Sequence, residues 1–214
     1  AASQGLRQVL MNGGQFALLR FTKKNRLDFL ALATPDAAYG EFAILSMLRS
    51  VPPDTGWQAR LSLGFARQES RTILEQCRHS GPLQVQRPFY PEGAGVCHAA
   101  LLHPPGGVVG GDELRIEATL DRGAHALITT PAAGKCYRSA GPVARQIQQL
   151  TVAPGAALEW LPQETIVFNG ACVHTLTHVE LCGDAQFIGW EIFCLGRPAA
   201  GEIFGTGEYR QDFE

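Results

Sequence analysis

From Trp57 onward the chain alternates: Trp57, Ala59, Leu61, Leu63 and Phe65 are apolar, and Gln58, Arg60, Ser62 and Gly64 separate them. Strict period two sends every second side chain to one face, which is what a half-buried strand needs and a helix cannot use. Shorter runs of the same kind follow at residues 72–77, 83–89, 99–103, 114–120, 125–130, 147–152, 157–161, 175–181 and 186–193. Turn signals divide them at Gly81-Pro82, Pro91-Glu92-Gly93, Pro104 to Gly111, Asp121-Arg122-Gly123, Pro154-Gly155 and Gly183-Asp184. With 24 Gly and 13 Pro, this spacing predicts a mainly β protein of short strands with few helices. Within the β region only residues 142–149 could hold a turn or two of helix.

A degenerate repeat refines the architecture. Leu120-Asp-Arg-Gly-Ala124-His-Ala126 lays over Val152-Ala-Pro-Gly-Ala156-Ala-Leu158, and Leu181-Cys-Gly-Asp-Ala185-Gln-Phe187 continues the series. Each unit reads strand, tight turn, strand, at intervals of about 29 to 32 residues. Units that stack on their neighbours predict a layered or helix-like β solenoid rather than a closed barrel.

Residues 1–46 read differently. Ala- and Leu-rich stretches at 29–33 and 42–48 favour helix, and Val51-Pro-Pro-Asp-Thr-Gly56 breaks the chain before the alternation begins. The chain opens on Ala1 rather than Met, with no basic-then-apolar leader, so a trimmed or incomplete chain is expected. The net charge is −2, with no basic stripe, which argues against nucleic-acid binding. No apolar run approaches the roughly 20 residues of a membrane-spanning helix. The six cysteines show no C-x-x-C spacing, so buried free thiols and a reducing, cytoplasmic setting are expected.

The stretch His103-Pro-Pro-Gly-Gly-Val-Val-Gly-Gly-Asp-Glu113 is the most distinctive. A phosphate loop needs Gly-Lys-Ser/Thr after its first glycine, and no Lys follows here. A dinucleotide fingerprint needs a helix next, whereas residues 114–120 read as strand. A rigid turn that delivers Asp112 and Glu113 to a strand entrance is the better reading. Cys97 and His98 are adjacent on a strand and point to opposite faces. Arg87 reads as a structural arginine in need of a partner. Lys135 and Arg138 place two cations in a loop, and Glu191 puts a carboxylate inside an apolar strand, where an unpaired charge is costly. There is no Gly-x-Ser-x-Gly elbow and no His-Glu-x-x-His.

Six ordered segments carry a family resemblance: GPLQVQRPFYP (81–91), Cys97-His98, LLHPPGGVVGGDEL (101–114), TTPAAGKCYRS (129–139), LEWLPQE (158–164) and LGRPAAGE (195–202). Together they make the chain similar to the UreD (UreH) family of urease accessory proteins, from about Trp57 to Gly207. The resemblance implies a non-enzymatic β scaffold that works with UreF, UreG and apo-urease and helps pass nickel towards the urease active site by an internal, water-filled route. It implies no catalytic residues and no permanently bound cofactor. It also implies that residues 1–46 are an extension, a fused neighbour or upstream sequence read in frame. Residues 47–214 are then a UreD-like β domain lacking the family's later segments. Cys136 stands where the family commonly has an aromatic residue, which reads as core variation.

Nickel in transit needs weak, exchangeable ligands rather than a closed Cys/His cage. Asp112, Glu113 and Glu191 are the expected route residues, with His98 and His103 as secondary candidates and Lys135 as countercharge. The rival reading is a metal-dependent hydrolytic enzyme on a β solenoid, using Asp112, Glu113 and a histidine. A third is a plain interaction module whose glycine loop is purely structural.

Overall fold

A computed structural model describes residues 15–21, by backbone alone, and residues 56–214. In chain order the strands are β1 (Gln15–Phe21), β2 (Gln58–Gln68), β3 (Arg71–Ser80), β4 (Gln84–Val85), β5 (Cys97–Leu102), β6 (Glu113–Leu120) and β7 (His125–Thr129). They continue as β8 (Gly134–Cys136), β9 (Ala144–Val152), β10 (Ala157–Leu161), β11 (Thr165–Val167), β12 (Cys172–Leu181), β13 (Gln186–Leu195) and β14 (Glu208–Phe213). The one helical element among the described residues is a 3-10 turn at Pro198–Ala200.

The strands wind as coils with three faces. One face is the sheet β14-β12-β9-β6-β2-β3. Its inner strands pair in parallel, and β3 returns along β2 as an antiparallel hairpin. The second face stacks β5, β7, β10 and the first half of β13, again in parallel. The third stacks β8, β11 and the second half of β13. β13 alone runs unbroken across the corner that separates β7 from β8 and β10 from β11.

The expected repeat is the rung-to-rung step of this solenoid. Leu120, Val152 and Leu181 are register partners on β6, β9 and β12, and Ala126, Leu158 and Phe187 are partners on β7, β10 and β13. The turns between them stack Ala124, Ala156 and Ala185, all buried, and each needs a left-handed residue that glycine supplies (Gly123 φ 72°, Gly155 φ 71°). The core lies inside the coils, from Ala59 to Phe213.

The glycine loop is itself a rung. Val108 bridges Cys136 in parallel, its N–H donating to the Lys135 carbonyl (2.8 Å) and its carbonyl accepting from Tyr137 N–H (2.8 Å). The ladder on the third face thus runs Val108, Cys136, Val167, Leu195. A Cβ at Gly107 would sit 2.5 Å from the Lys135 carbonyl oxygen, so the close approach requires glycine.

Several expectations change. Residues 15–21, in the segment read as helical, form strand β1 antiparallel to β13. Local Ala/Leu content yields there to a sheet edge on β13 that offers partners for the backbone groups facing it. The stretches at 29–33 and 42–48 and most of the break at 51–56 lie outside the described residues. Residues 142–149 are strand from Ala144, hydrogen-bonded on both sides by β6 and β12. Of 83–89 only Gln84–Val85 is strand, with an isolated bridge from Phe89 to His98, because Pro88 has no N–H for the ladder. All six cysteines are free; Cys97 and Cys136 are buried, but Cys77 is exposed on β3.

Among the residues whose side chains are described the core runs from Ala59 to Phe213, and β1 adds only an outer strand beside β13. Deleting residues 1–46 should therefore remove that strand yet leave the far-UV β signature and a single cooperative thermal transition. Loss of cooperativity would move the domain boundary upstream of Trp57.

Candidate functional site

Inward positions on the large sheet follow the register across five strands. One row runs Ala59, Leu114, Gln146, Thr175, Gln211, and the next runs Leu61, Ile116, Gln148, Thr177, Phe213. Both rows are apolar on β2 and β6 and turn polar on β9 and β12. The following rows, through Leu150 and through Val152, are apolar again. A polar patch therefore sits inside an otherwise apolar coil, and a cavity of about 330 Å³ lies against it.

Glu191 enters this cavity from β13. Its two carboxyl oxygens contact Thr177 Oγ1 and Gln211 Nε2, and Thr177 Oγ1 also lies 3.2 Å from Gln148 Oε1. A hydroxyl has one proton, so Thr177 cannot donate to both oxygens. A protonated Glu191 that donates to Thr177, which donates on to Gln148, satisfies every group. Burial favours that form: desolvation pushes the Glu191 carboxyl above its usual range, against the opposing hydrogen bonds from Thr177 and Gln211. Tyr209 also lines the cavity; burial raises its hydroxyl pKa, and its ring packs against Phe193 at 5.2 Å. Trp160, which also lines the cavity, is buried, and its Nε1–H has no acceptor among the described residues. Lys135 lines the cavity from β8 and His103 from the glycine loop. Burial lowers the His103 pKa, partly offset by the charge of Asp112, so the imidazole is neutral with a free lone pair at neutral pH.

Residues 58–214 match the family model of the UreD urease accessory protein. The chain belongs to the UreD urease accessory protein family. Curated relatives carry the name urease accessory protein UreD. One from Azoarcus sp. (strain BH72) is 56% identical over 154 residues, covering 72% of this chain and 54% of the relative. Another from Citrobacter koseri is 53% identical over 159 residues, 74% of this chain and 55% of the relative. A third, from Klebsiella aerogenes, is 53% identical over 156 residues, 73% and 57%. The chain thus spans a little over half the length of these UreD relatives.

Within this UreD fold, Glu191, His103 and Lys135 share one cavity, and the other expected residues lie elsewhere. Asp112 accepts the Trp57 N–H on Oδ1 and the Val109 N–H on Oδ2, both at 2.9 Å. Its carboxylate clamps the start of β2 to the glycine loop. Glu113 is buried off the cavity, beside Arg115 Nη2 at 3.2 Å. His98 Nε2 pairs with Glu92 Oε1 at 2.7 Å, and the neighbouring Cys97 Sγ reaches the Tyr90 hydroxyl at 3.7 Å. Arg87, expected to need a partner, is exposed to solvent. Among the described residues no group of three or more His, Cys, Asp or Glu is gathered to hold a metal, so Asp112, Glu113 and a histidine do not converge as a hydrolase would require. The residues that build the polar patch, Gln146, Gln148, Thr175, Thr177 and Gln211, escaped the sequence reading. Their signal was present: polar side chains at the inward positions of alternating strands.

Two measurements check these roles. Asp112→Ala leaves two backbone donors unpaired and should lower stability by about 2 kcal/mol in urea unfolding; an unchanged midpoint would remove the clamp. Because the folded Glu191 pKa is raised, its stabilising contribution is full below the ordinary carboxylate pKa and is lost as pH rises through the folded value. The parent should therefore lose stability over that window relative to Glu191→Gln, which cannot ionise. Parallel pH profiles of the two proteins would show that Glu191 titrates normally.

Proposed function

We propose that this chain is a scaffold for nickel insertion into urease, acting in the cytoplasm with UreF and UreG on apo-urease. The observation that carries this reading is the polar patch around Glu191. It supplies a carboxyl group, a neutral imidazole and amide and hydroxyl oxygens on one cavity, with no cage among the described residues that would retain the ion. Borderline divalent ions accept oxygen and imidazole ligands, and dispersed single ligands let them exchange. Lys135 also lines the cavity, and its positive charge opposes accumulation of further positive charge and keeps binding weak. The UreD relatives, named accessory proteins rather than enzymes, support the scaffold role over catalysis.

The test is co-expression of the chain with UreF, UreG and apo-urease, followed by nickel per urease active site. Glu191→Ala should lower nickel content and activity while the complex still forms, and Glu191→Gln separates loss of charge from loss of shape. Asp112→Lys, designed against the clamp rather than the cavity, should act through stability alone. Normal nickel loading with Glu191→Ala would rule out the cavity route, and failure of the chain to join any of the three partners would overturn the scaffold reading.

A further inference from the structure

The outer face of the large sheet carries a second concave feature at its β3 edge. A groove of about 300 Å³ lies over Arg60 and Ser62 of β2, Arg78 and Ser80 of β3, and Arg115 of β6. Register sets these residues side by side: Arg60 is opposite Arg115 across the β2–β6 ladder and opposite Ser80 across the β2–β3 ladder, and Ser62 is opposite Arg78. Like charges directly opposite in a sheet destabilise it. Glu117 is the one carboxylate lining the groove, and neither Arg60 nor Arg78 makes an ion pair among the described residues. Three guanidinium groups are thus concentrated on a chain whose net charge is −2.

Arg115 is fixed in place. The Glu113 side chain, only 5% exposed, accepts from its Nη2, which leaves the buried Arg115 Nε–H without an acceptor. A buried donor left unpaired costs free energy that an incoming acceptor recovers.

We propose that this groove binds a phosphate group. The donor set favours phosphate over a single carboxylate. A carboxylate offers about four acceptor sites, which two guanidinium forks saturate. Phosphate brings three acceptor oxygens and close to two negative charges, enough to engage the unpaired forks of Arg60 and Arg78, the Arg115 nitrogens that Glu113 does not occupy, and the hydroxyls of Ser62 and Ser80. Glu117 keeps the interaction modest and salt-dependent, because its own charge opposes the ligand. The groove lies on the outside of the sheet, so this proposal does not depend on the nickel reading of the interior.

Isothermal titration of the 214-residue chain with pyrophosphate, inorganic phosphate and ADP, at constant ionic strength against chloride, tests it. Saturable one-site binding of pyrophosphate is expected. It should weaken about tenfold with Arg60→Gln or Arg78→Gln, both exposed positions whose loss leaves the thermal midpoint in chloride unchanged. Arg115→Lys keeps the charge, loses the fork and should weaken binding as well. ADP binding as tightly as pyrophosphate assigns the phosphate to nucleotides, and binding of the inorganic ions alone assigns it to free phosphate. Heats that never saturate, or that persist in the Arg60→Gln/Arg78→Gln double variant, overturn the site. So does preference for a hexaglutamate peptide over pyrophosphate, which would assign the groove to an acidic protein segment.

Discussion

Parallel register between successive coils is the constraint on which the rest of this protein depends. Because β6, β9, β12 and β14 pair in parallel and in step, a residue and its counterpart one coil later face the same way. Side chains therefore form files along the interior, and the character of a file is decided by what each coil places at one position. Two files change from apolar to polar between β6 and β9, and the cavity lies beside that change. The same register carries Val108, Cys136, Val167 and Leu195 into one apolar file on the third face, which holds the glycine loop against β8. Burial of these files supplies the hydrophobic contribution to stability, while the ladders satisfy the backbone.

The polar groups around Glu191 are tolerated because they satisfy one another. Glu191, Thr177, Gln148 and Gln211 come from β13, β12, β9 and β14, so no local segment holds more than one of them. A carboxyl in such a place is stable as the neutral acid, and its ionisation would demand a countercharge. Lys135 lies on the same cavity, and a divalent cation would serve the same purpose. The cavity is thus a site whose charge depends on what enters it, unlike a closed metal cage, which is anionic before its ion arrives.

Much of the fold was legible along the chain. Alternation located the long strands, and the Leu120, Val152 and Leu181 units predicted stacking before any contact was known. β8 and β11 were missed because three residues cannot display a period, and β1 because its strand form depends on the edge of β13. Glu191 stood out since a charge in an apolar strand is costly wherever it lies. Asp112 stood out too, but its role did not: the two amides it accepts belong to Val109 and to Trp57, the latter 55 positions away. Glutamine and threonine at inward positions look like ordinary solvated residues until the facing strand is known, which is why the patch was invisible to local reading.

The corners have a further consequence for which changes this architecture accommodates. His125 to Ala157 spans one residue more than Gly134 to Thr165, although both pairs are partners between the same two coils. The next coil shows the same loss, from Ala157–Gln186 to Thr165–Phe193. Length differences are therefore absorbed at the bend that follows β7 and β10 and at the corner that follows β8 and β11, where Cys136 to Ala144 spans two residues more than Val167 to Val173, leaving the files in step on either side. An inserted residue at either corner changes only a loop, whereas one inserted within β9 or β12 would turn the polar file outward and bring Ile147 or Leu176 into its place. Tolerance to insertion and deletion is thus concentrated at the corners, and drift in coil length can accumulate there without altering the interior.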